Sequence, residues 1–380
     1  MRPGVFVIAD NIFSPIGATS AENFSQLKNG ISGIRQHRDP SVSQQPFYAS
    51  LFDKTVVDSL PGKDKYTLFE QIIIASVTDA INKCNVDFTD ERTLLIISTT
   101  KGNISLLETE PYSAELQERV ALPHSARLIA AHFGFVNEPL IISNACISGV
   151  VGIITAMRLI GSGQYDNIVV TGADVISQFI LSGFEAFNAI SSTPCRPFDK
   201  DRDGITLGEG AATVVLSSRS SNKGNIRILG GAVSNDANHL SAPSRTGEEL
   251  AAAIKKTLAM ADITATQVDL VSAHGTATVY NDEMEAKAIT LAGLQNTPTN
   301  SLKGYYGHTL GAAGLIESIV SMNSLKENIM IPTLGFKETG TPDPLNIFTE
   351  VASGNFNTCI KTASGFGGCN AALLFKKHLN

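Results

Sequence analysis

Two segments of the sequence repeat the same order of features, and this duplication restricts the fold more than any other property of the chain. The run VFVIADNIFSPIG near the start and IRILGGAVSNDAN from residue 226 both read as a strand entering a small-residue loop. GEGAATVVL at 208–216 is matched by GGCNAALLF at 367–375, a glycine turn before an apolar strand. The repeat predicts two similar units, residues 1–220 and 221–380.

Cys146 and His308 stand at matching places in these two units. Their separation, 308 − 146 = 162, is close to that of Gly208 and Gly367, 367 − 208 = 159. If the units pack about a pseudo-twofold axis, positions that are distant in sequence meet at the centre. The sequence therefore predicts one site between the two units.

Apolar strand-like runs alternate with longer helical patterns along the whole chain, for example at 94–98, 139–143, 168–172 and 268–273. This alternation favours an α/β fold with buried parallel or mixed sheets. The polar, glycine-containing stretch SSRSSNKGN at 217–225 is the candidate junction between the units.

Charge and cysteine content exclude several classes of function. A net charge of −7 argues against a nucleic-acid-binding protein. Five cysteines, an odd number without CxxC spacing, indicate neither a disulfide framework nor a zinc site. The apolar stretch 149–160 is interrupted by Arg158 and is too short to span a bilayer, and the start of the chain lacks a signal-peptide pattern. We expect a cytoplasmic protein that is not bound to a membrane.

Cys146, in SNACISG, lies between a predicted strand and a predicted helix. A helix N-terminus stabilises a thiolate, so we expect a lowered pKa and a nucleophilic thiol. Taken alone, the residue is better read as a small buried hydrophobe, because most free cysteines are buried.

Three further stretches carry reactive or mobile groups. SAHGTATVYNDEMEAKAI places His274 just after an apolar strand, and Asp282 and Glu285 are predicted to cap the following helix. NSLKGYYGHTLGAAG contains Lys303 and His308 before a run of small residues that allows close helix packing. In ASGFGGCN, Phe366 stands among glycines and is either able to move or a filler of the core.

The stretches NACISG, HGTATVYND, KGYYGHTLGAAG, RPFDKDRDGITLGEGAA and GFGG together resemble the β-ketoacyl-ACP synthase family of the thiolase superfamily. Their order and spacing match over nearly the whole chain. The resemblance implies a thiolase-like duplicated α/β/α/β/α layered fold with two pseudo-twofold related halves. It also implies a decarboxylating Claisen condensation of an acyl thioester with malonyl-ACP, without metal or other cofactor.

The resemblance assigns a role to each candidate residue. Cys146 would carry the acyl group as a thioester, and His274 and His308 would hold the malonyl thioester carbonyl while CO₂ leaves. The backbone N–H groups of Cys146 and Phe366 would form an oxyanion hole, and the Phe366 ring would act as a gate. Lys303 would order the histidines, and Glu209 would have a structural role.

The resemblance also implies partners. The acyl and malonyl groups arrive on an acyl carrier protein, which is acidic and would dock on a basic patch supplied by Lys63, Lys65 or Arg202. Phe179, Ile180 and Phe184 are candidate pocket residues. A homodimer is expected, with a heterodimer containing a chain-length factor kept open.

Two other functions remain as alternatives at this point. The chain could be a chain-length-determining partner with little or no catalysis, which the retention of Cys146 and both histidines disfavours. It could also be a thiolase-type acyltransferase, with Cys369 as the second cysteine that such an enzyme needs. Because Cys369 starts an apolar strand, we predict that it is buried packing.

Overall fold

The helices and strands follow from a computed structural model that describes residues 4–219, 226–237 and 242–378. The helices are α1 Ser20–Lys28, α2 Lys54–Ser59, α3 Leu68–Ile81, α4 Leu106–Thr109, α5 Ala114–Val120, α6 Leu122–Phe133, α7 Ser148–Gly161, α8 Gln178–Ala186, α9 Glu248–Ala261, α10 Val279–Leu291, α11 Lys303–Tyr306 and α12 Ala313–Glu327, with 3-10 turns at Ala265–Gln267 and Leu310–Ala312. The strands are β1 Val5–Phe13, β2 Ile34–His37, β3 Phe47–Ser50, β4 Thr93–Ser98, β5 Leu140–Ile142, β6 Asn167–Asp174, β7 Leu207–Gly208, β8 Gly210–Ser217, β9 Ile226–Asn235, β10 Leu270–Ser272, β11 Thr299–Asn300, β12 Ile329–Met330, β13 Ala352–Ser353, β14 Thr358–Gly365 and β15 Cys369–Lys377.

Ten of the described strands form one sheet whose two ends repeat each other in reverse order. The order is β5-β4-β6-β8-β1, followed directly by β9-β15-β14-β10-β11. Moving outwards from the centre, each end has two antiparallel pairs and then two parallel pairs. β1 and β9 join the ends by antiparallel pairing, with Phe6 opposite Arg227. The predicted duplication is confirmed by this topology.

The junction of β1 and β9 divides the sheet into two half-sheets, and the helices form three layers around them. α3 contacts β1, β6 and β8 of the first half-sheet, and α9 contacts β9, β14 and β15 of the second. α7 and α12 lie between the half-sheets and contact strands of both. Separate hydrophobic clusters fill the space on the α3 side, between the half-sheets and on the α9 side. The predicted α/β/α/β/α arrangement is therefore confirmed.

The two central helices approach each other closely because glycines face their contact. A Cβ atom on Gly149 of α7 would lie 2.7 Å from the backbone nitrogen of Leu315. A Cβ atom on Gly314 of α12 would lie 2.8 Å from the backbone nitrogen of Val150. In a close-packed interior, side chains at these positions would push the helices apart. The glycines therefore bring the two helix N-termini together.

Two long connecting segments, called excursions below, distinguish the two halves. Residues 175–209 separate β6 from β8 and contain α8, whereas residues 366–368 suffice to join the corresponding strands β14 and β15. Residues 328–357 separate α12 from β14, whereas residues 162–166 join α7 to β6. The two halves therefore share one strand order, but corresponding elements are joined by connections of different length.

Most of the predicted junction, residues 220–225, lies outside the described residues. The division of the chain at 220/221 therefore stays a prediction. Within the part of the chain that the structure describes, no helix has both the length and the apolar composition that a bilayer crossing requires.

Candidate active site

Cys146 lies in a tight turn between β5 and α7. The preceding residue, Ala145, has a positive φ of 43°, which reverses the chain direction before the helix. The Asn144 N–H donates to Ser148 Oγ at 2.8 Å, and that hydroxyl donates to the Ala145 carbonyl at 2.7 Å. The turn is thereby fixed by the first residue of α7, and Cys146 is held in a buried position.

The predicted low pKa of the Cys146 thiol is wrong for the resting protein. Burial, and next the neighbouring Cys369, raise its pKa to about 12, while Lys303 lowers it too little to compensate. The two nearby imidazoles are neutral and give no additional cation. The resting nucleophile is therefore a neutral thiol.

His274 follows β10 and is fixed by a buried carboxylate. The N–H groups of His274 and Gly275 donate to the two oxygens of Glu285 at 2.8 and 2.7 Å. Asp282 accepts from the Phe198 and Thr276 N–H groups at 2.7 and 2.9 Å. The prediction that Asp282 and Glu285 cap α10 is therefore wrong. From α10, both carboxylates bind backbone N–H groups outside the helix.

His308 precedes α12 at the place where Cys146 precedes α7. Its N–H donates to the Thr206 carbonyl at 2.6 Å, which ties it to the excursion of the first half. Its Nδ1 accepts from the Leu310 N–H at 3.2 Å. An acceptor at Nδ1 requires the proton of a neutral ring to be on Nε2.

Cys146 and His308 meet as predicted from the duplication, and His274 lies beside them. The Cys146 Sγ and one nitrogen of each ring lie within 4.8 Å of one another. The two rings are 5.2 Å apart and nearly perpendicular, at 82°. Burial, and next Lys303, hold the pKa of both histidines well below the usual range, so both are neutral.

The tautomers of the two histidines decide what this cluster can bind. The Lys303 ammonium lies 3.5 Å from His274 Nδ1, which makes that atom an acceptor, as Leu310 does for His308. Both Nε2 atoms therefore carry protons and are donors rather than metal ligands. The arrangement suits an oxygen atom that gains negative charge.

Lys303 contacts His274 and belongs to a buried ionic cluster. Its ammonium donates to the His274 carbonyl at 3.1 Å and pairs with Glu317 of α12. The other carboxylate oxygen of Glu317 lies 2.8 Å from the ammonium of Lys361 in β14. Neither Glu317 nor Lys361 is among the predicted site residues. The signal for both was present, since Lys361 is the one charged residue of β14 and Glu317 is the one charged residue of α12 before its last two positions.

Phe366 occupies the turn between β14 and β15, and it lines the same cavity as Cys146. Its ring is 39 % exposed and contacts Phe184 and Phe187 of the first excursion, with ring centres 5.7 and 5.5 Å apart. The adjacent Gly365 lies so close to the nucleophile that a Cβ atom there would be 3.0 Å from the Cys146 backbone nitrogen. The turn and the nucleophile therefore form one side of the site.

Two other buried carboxylates support the site from the first half. Glu209 accepts from the Phe52 and Ile176 N–H groups, both at 3.0 Å, and burial raises its pKa to about 6. Asp174, which sequence reasoning missed, accepts from the Gly311 N–H at 2.7 Å at the start of α12. Burial also raises the pKa of Asp174 to about 6.

A cavity of about 340 Å³ leads to the cluster. Cys146, His274 and His308 lie at its inner end, and Phe184, Phe187 and Phe366 line its wall. Of the predicted pocket residues, Phe184 lines the cavity, Ile180 is buried in a separate cluster, and Phe179 is 53 % exposed.

A duplicated α/β/α/β/α fold with a cysteine and two histidines between its halves defines a thiolase-like acyl-transfer enzyme. The chain belongs to the beta-ketoacyl synthase family. The N-terminal domain of that family matches residues 3–222, and its C-terminal domain matches residues 226–337.

Full-length relatives agree with this assignment. The chain is 30% identical over 408 residues to 3-oxoacyl-[acyl-carrier-protein] synthase 2 of Vibrio harveyi, covering 98% of each chain. The Vibrio cholerae protein of the same name is 31% identical over 410 residues, covering 98% of this chain and 99% of the relative. The ishigamide ketosynthase/chain length factor structure has a TM-score of 0.89 at 26% identity, covering 99% of both chains. The protein is thus a ketosynthase, an enzyme of the acyltransferase class.

Proposed function

We propose that Cys146, His274 and His308 carry out a decarboxylating Claisen condensation between an acyl thioester and malonyl-ACP. The observation that carries this proposal is the meeting of one thiol and two neutral Nε2–H donors at the inner end of a single cavity. The products are 3-oxoacyl-ACP, CO₂ and free carrier protein.

In the first half-reaction, the acyl group moves from the carrier protein to Cys146. The Cys146 sulfur forms a thioester bond, the carrier thioester bond breaks, and the carrier thiol takes the proton that the cysteine loses. Because burial raises the pKa of Cys146 to about 12, the thiol is protonated in the resting enzyme and loses its proton during the transfer. Thiolate character then arises during the transfer rather than in the resting enzyme.

In the second half-reaction, malonyl-ACP loses CO₂ and becomes an enolate. The two Nε2–H groups donate to the thioester oxygen, where the negative charge develops. Because the imidazoles are neutral, they stabilise this oxygen without protonating the carbon. The enolate carbon then attacks the Cys146 thioester, the Cys146–acyl bond breaks when the new carbon–carbon bond has formed, and the Cys146 thiolate that leaves takes up a proton from solvent.

The oxyanion of that attack needs donors beside Cys146. The backbone N–H groups of Cys146 and Phe366 are proposed for this role, supported by the close approach of Gly365 to the Cys146 nitrogen. Lys303 is proposed to orient His274, and Glu209 to fix the excursion of the first half through two backbone N–H groups.

An acyl carrier protein is the proposed partner, because the two Vibrio relatives are named as synthases acting on it. Of the predicted docking residues, Arg202 is buried and bonded to the Asp199 and Gly340 carbonyls, so it is unsuited to docking. Lys63 is an exposed cation paired with Asp58. Lys63 and Lys65 remain the candidates for this contact.

The choice between a homodimer and a heterodimer is also a proposal. A homodimer is our first expectation, since this chain carries a complete Cys-His-His set. A heterodimer is favoured by one observation, the likeness to a ketosynthase paired with a chain length factor. The cytoplasm stays the expected location.

A thiolase-type reaction is the second candidate. Cys369 begins β15, and its thiol lies 3.4 Å from the Phe366 carbonyl. Cys369 is not among the residues that line the cavity, unlike its neighbours Gly368 and Asn370. This placement supports a packing role for Cys369, and we keep the condensation as the proposed function.

Loading by intact mass and CO₂ release from malonyl-ACP test the proposal together. We expect the native enzyme to gain one acyl group from acyl-ACPs on Cys146 and to release CO₂. The variant Cys146→Gln lacks the nucleophile and places an amide near the position of the acyl thioester. It should neither load nor condense, yet still release CO₂. Loading of Cys369 instead would favour the thiolase reaction.

A further inference from the structure

Lys361 is a buried cation that takes no direct part in the condensation proposed above. Its side chain is 0 % exposed in the middle of the protein. Its ammonium donates to the carbonyl oxygens of Ser272, Ala273 and Thr362, at 3.2, 3.1 and 2.6 Å. An ammonium group has three protons and no acceptor atom, so it binds these carbonyls only as a donor.

Two of these carbonyls belong to the residues immediately before His274. Ser272 ends β10, and the chain then turns so that the His274 N–H meets Glu285. Lys361 holds the carbonyls of this segment, while Glu285 holds its next N–H groups. The backbone that carries His274 is therefore bound by opposite charges from β14 and α10.

Lys361 also contacts the carboxylate that orients Lys303. One oxygen of Glu317 pairs with Lys303, and the other lies 2.8 Å from the Lys361 ammonium. Lys303 in turn lies 3.5 Å from His274 Nδ1. At this contact two ammonium groups share one carboxylate, and both lie close enough to the imidazoles to influence their protonation.

We infer that Lys361 is a positioning residue for the decarboxylation step. It holds the carbonyls at the end of β10 and thereby fixes the backbone that carries His274, whose ring lines the cavity. The inference rests on the function proposed above, since it concerns the same two histidines.

The charges around the histidines support this role. Burial is the main cause of their low pKa, Lys303 is the largest charge contribution, and Lys361 lowers the pKa of both rings as well. Removing Lys361 would therefore raise both pKa values. The ionisable groups that face His274 from the surrounding elements are Cys146, Glu285, Lys303, His308, Glu317 and Lys361.

Two variants of Lys361 separate its charge from its hydrogen bonds. Lys361→Met removes both, whereas Lys361→Gln keeps an amide that can donate to the carbonyls. The measurement is the rate of CO₂ release from malonyl-ACP as a function of pH, with thermal unfolding and acyl loading recorded for each variant. We expect the acid limb of both profiles to move to higher pH, because the imidazoles protonate more easily without the Lys361 charge, and the maximal rate to fall further for Lys361→Met than for Lys361→Gln, which keeps a donor for the carbonyls.

Lys326→Met is the matched control. It also removes an ion-paired lysine, whose ammonium lies 3.0 Å from Asp10, but at the far end of α12. Its acid limb should coincide with that of the native enzyme. A similar shift in this control would overturn the inference, because it would reflect net charge alone.

The outcomes separate the inference from the proposed function. If the native enzyme releases no CO₂ from malonyl-ACP, the proposed function fails and the inference fails with it. If the native enzyme is active and both Lys361 variants keep its acid limb, with only a lower unfolding temperature, the inference alone fails. Failure of both variants to fold would equally assign Lys361 to folding rather than to positioning.

Discussion

The turn before α7 and the turn before α12 occupy matching places in the two halves but use their surroundings differently. In the first half, a serine of the helix binds the turn, and the thiol of Cys146 faces the cavity. In the second half, His308 itself accepts the Leu310 N–H. One half thus presents a nucleophile, and the other uses a backbone N–H to fix a tautomer. The duplicated backbone supplies position, and the side chain decides the chemistry.

The strands that follow differ in the same way. Before β8, the buried Glu209 binds two backbone N–H groups and fixes the excursion of the first half. Before β15, Phe366 is partly exposed and is followed by Gly367 and Gly368, whose φ values are 86° and 73°. Positive φ is accessible to glycine at low cost. The first half therefore has a turn held by a buried carboxylate where the second has a glycine turn that carries a partly exposed ring.

The largest expected effect comes from removing His308, the donor of the second half whose tautomer is fixed by the Leu310 N–H. His308→Ala should lower CO₂ release from malonyl-ACP by two to three orders of magnitude, because loss of one such donor typically costs about 2.7–4 kcal/mol of barrier. Acyl loading should persist, since Cys146 remains. The two half-reactions are measured by CO₂ release and by intact mass.

The first-half variant Cys146→Gln is the counterpart of His308→Ala and should show the reverse pattern. Equal loss of both half-reactions in both variants, at native unfolding temperatures, would contradict this division of roles between the halves. In that case the nucleophile and the donors would act only as a unit.

The next effect concerns the turn at Phe366. Phe366→Ala should reduce condensation by about tenfold to a hundredfold, because the ring expected to act as the gate of the cavity is lost. The free energy of unfolding should fall by only roughly 1 kcal/mol, because the ring is already partly exposed. Steady-state elongation and urea unfolding provide these values.

Phe187→Ala is the control for Phe366→Ala. It removes a ring from the same aromatic contact but leaves the turn between β14 and β15 unchanged. We expect a smaller loss of condensation. Equal losses would mean that the contact matters and that movement of the turn does not.

A smaller effect tests the contact that brings the two halves together. Gly149→Ala should lower the free energy of unfolding by about 1–3 kcal/mol, since its Cβ would meet the Leu315 backbone nitrogen of α12. Gly161→Ala, at the other end of α7, has no neighbour within 4 Å and should be neutral or stabilising by up to about 1 kcal/mol. Similar urea midpoints for the two variants would contradict close packing at α7 and α12.

Much of this fold could be predicted from the sequence because the duplication is visible in it. The near-equal separations, however, conceal compensating changes. β6 and β14 begin 358 − 167 = 191 residues apart, whereas β8 and β15 begin 369 − 210 = 159 residues apart. The long loop 328–357 in the second half offsets the long excursion 175–209 in the first. Spacing alone therefore identified the repeat but not the two long connections, of which 175–209 contributes to the cavity.

The site was predictable where short motifs carry the reactive group, as for Cys146 and His308. The protonation of Cys146 was not, because a helix N-terminus is visible in sequence but the degree of burial is not. Lys361 and Glu317 were missed for a related reason. They lie 44 residues apart (361 − 317 = 44), and only the pairing of β14 with β10 and its packing on α12 brings them together.

The smallest expected effect compares Glu209 with Glu70, two buried carboxylates with opposite surroundings. Burial raises the pKa of Glu209 to about 6, so the folded protein binds its proton more tightly than the unfolded chain does. Glu70 is paired with Arg119 at 2.5 Å, and its pKa is lowered. Relative to Glu209→Gln, the native protein should gain stability as the pH falls from about 7 to 4.5, by at most about 2 kcal/mol. Relative to Glu70→Gln, it should lose stability as the pH falls below about 4.5. Urea unfolding at several pH values gives both difference curves, and a flat curve for Glu209→Gln would show that this carboxyl is not held in a costly ionised form at neutral pH.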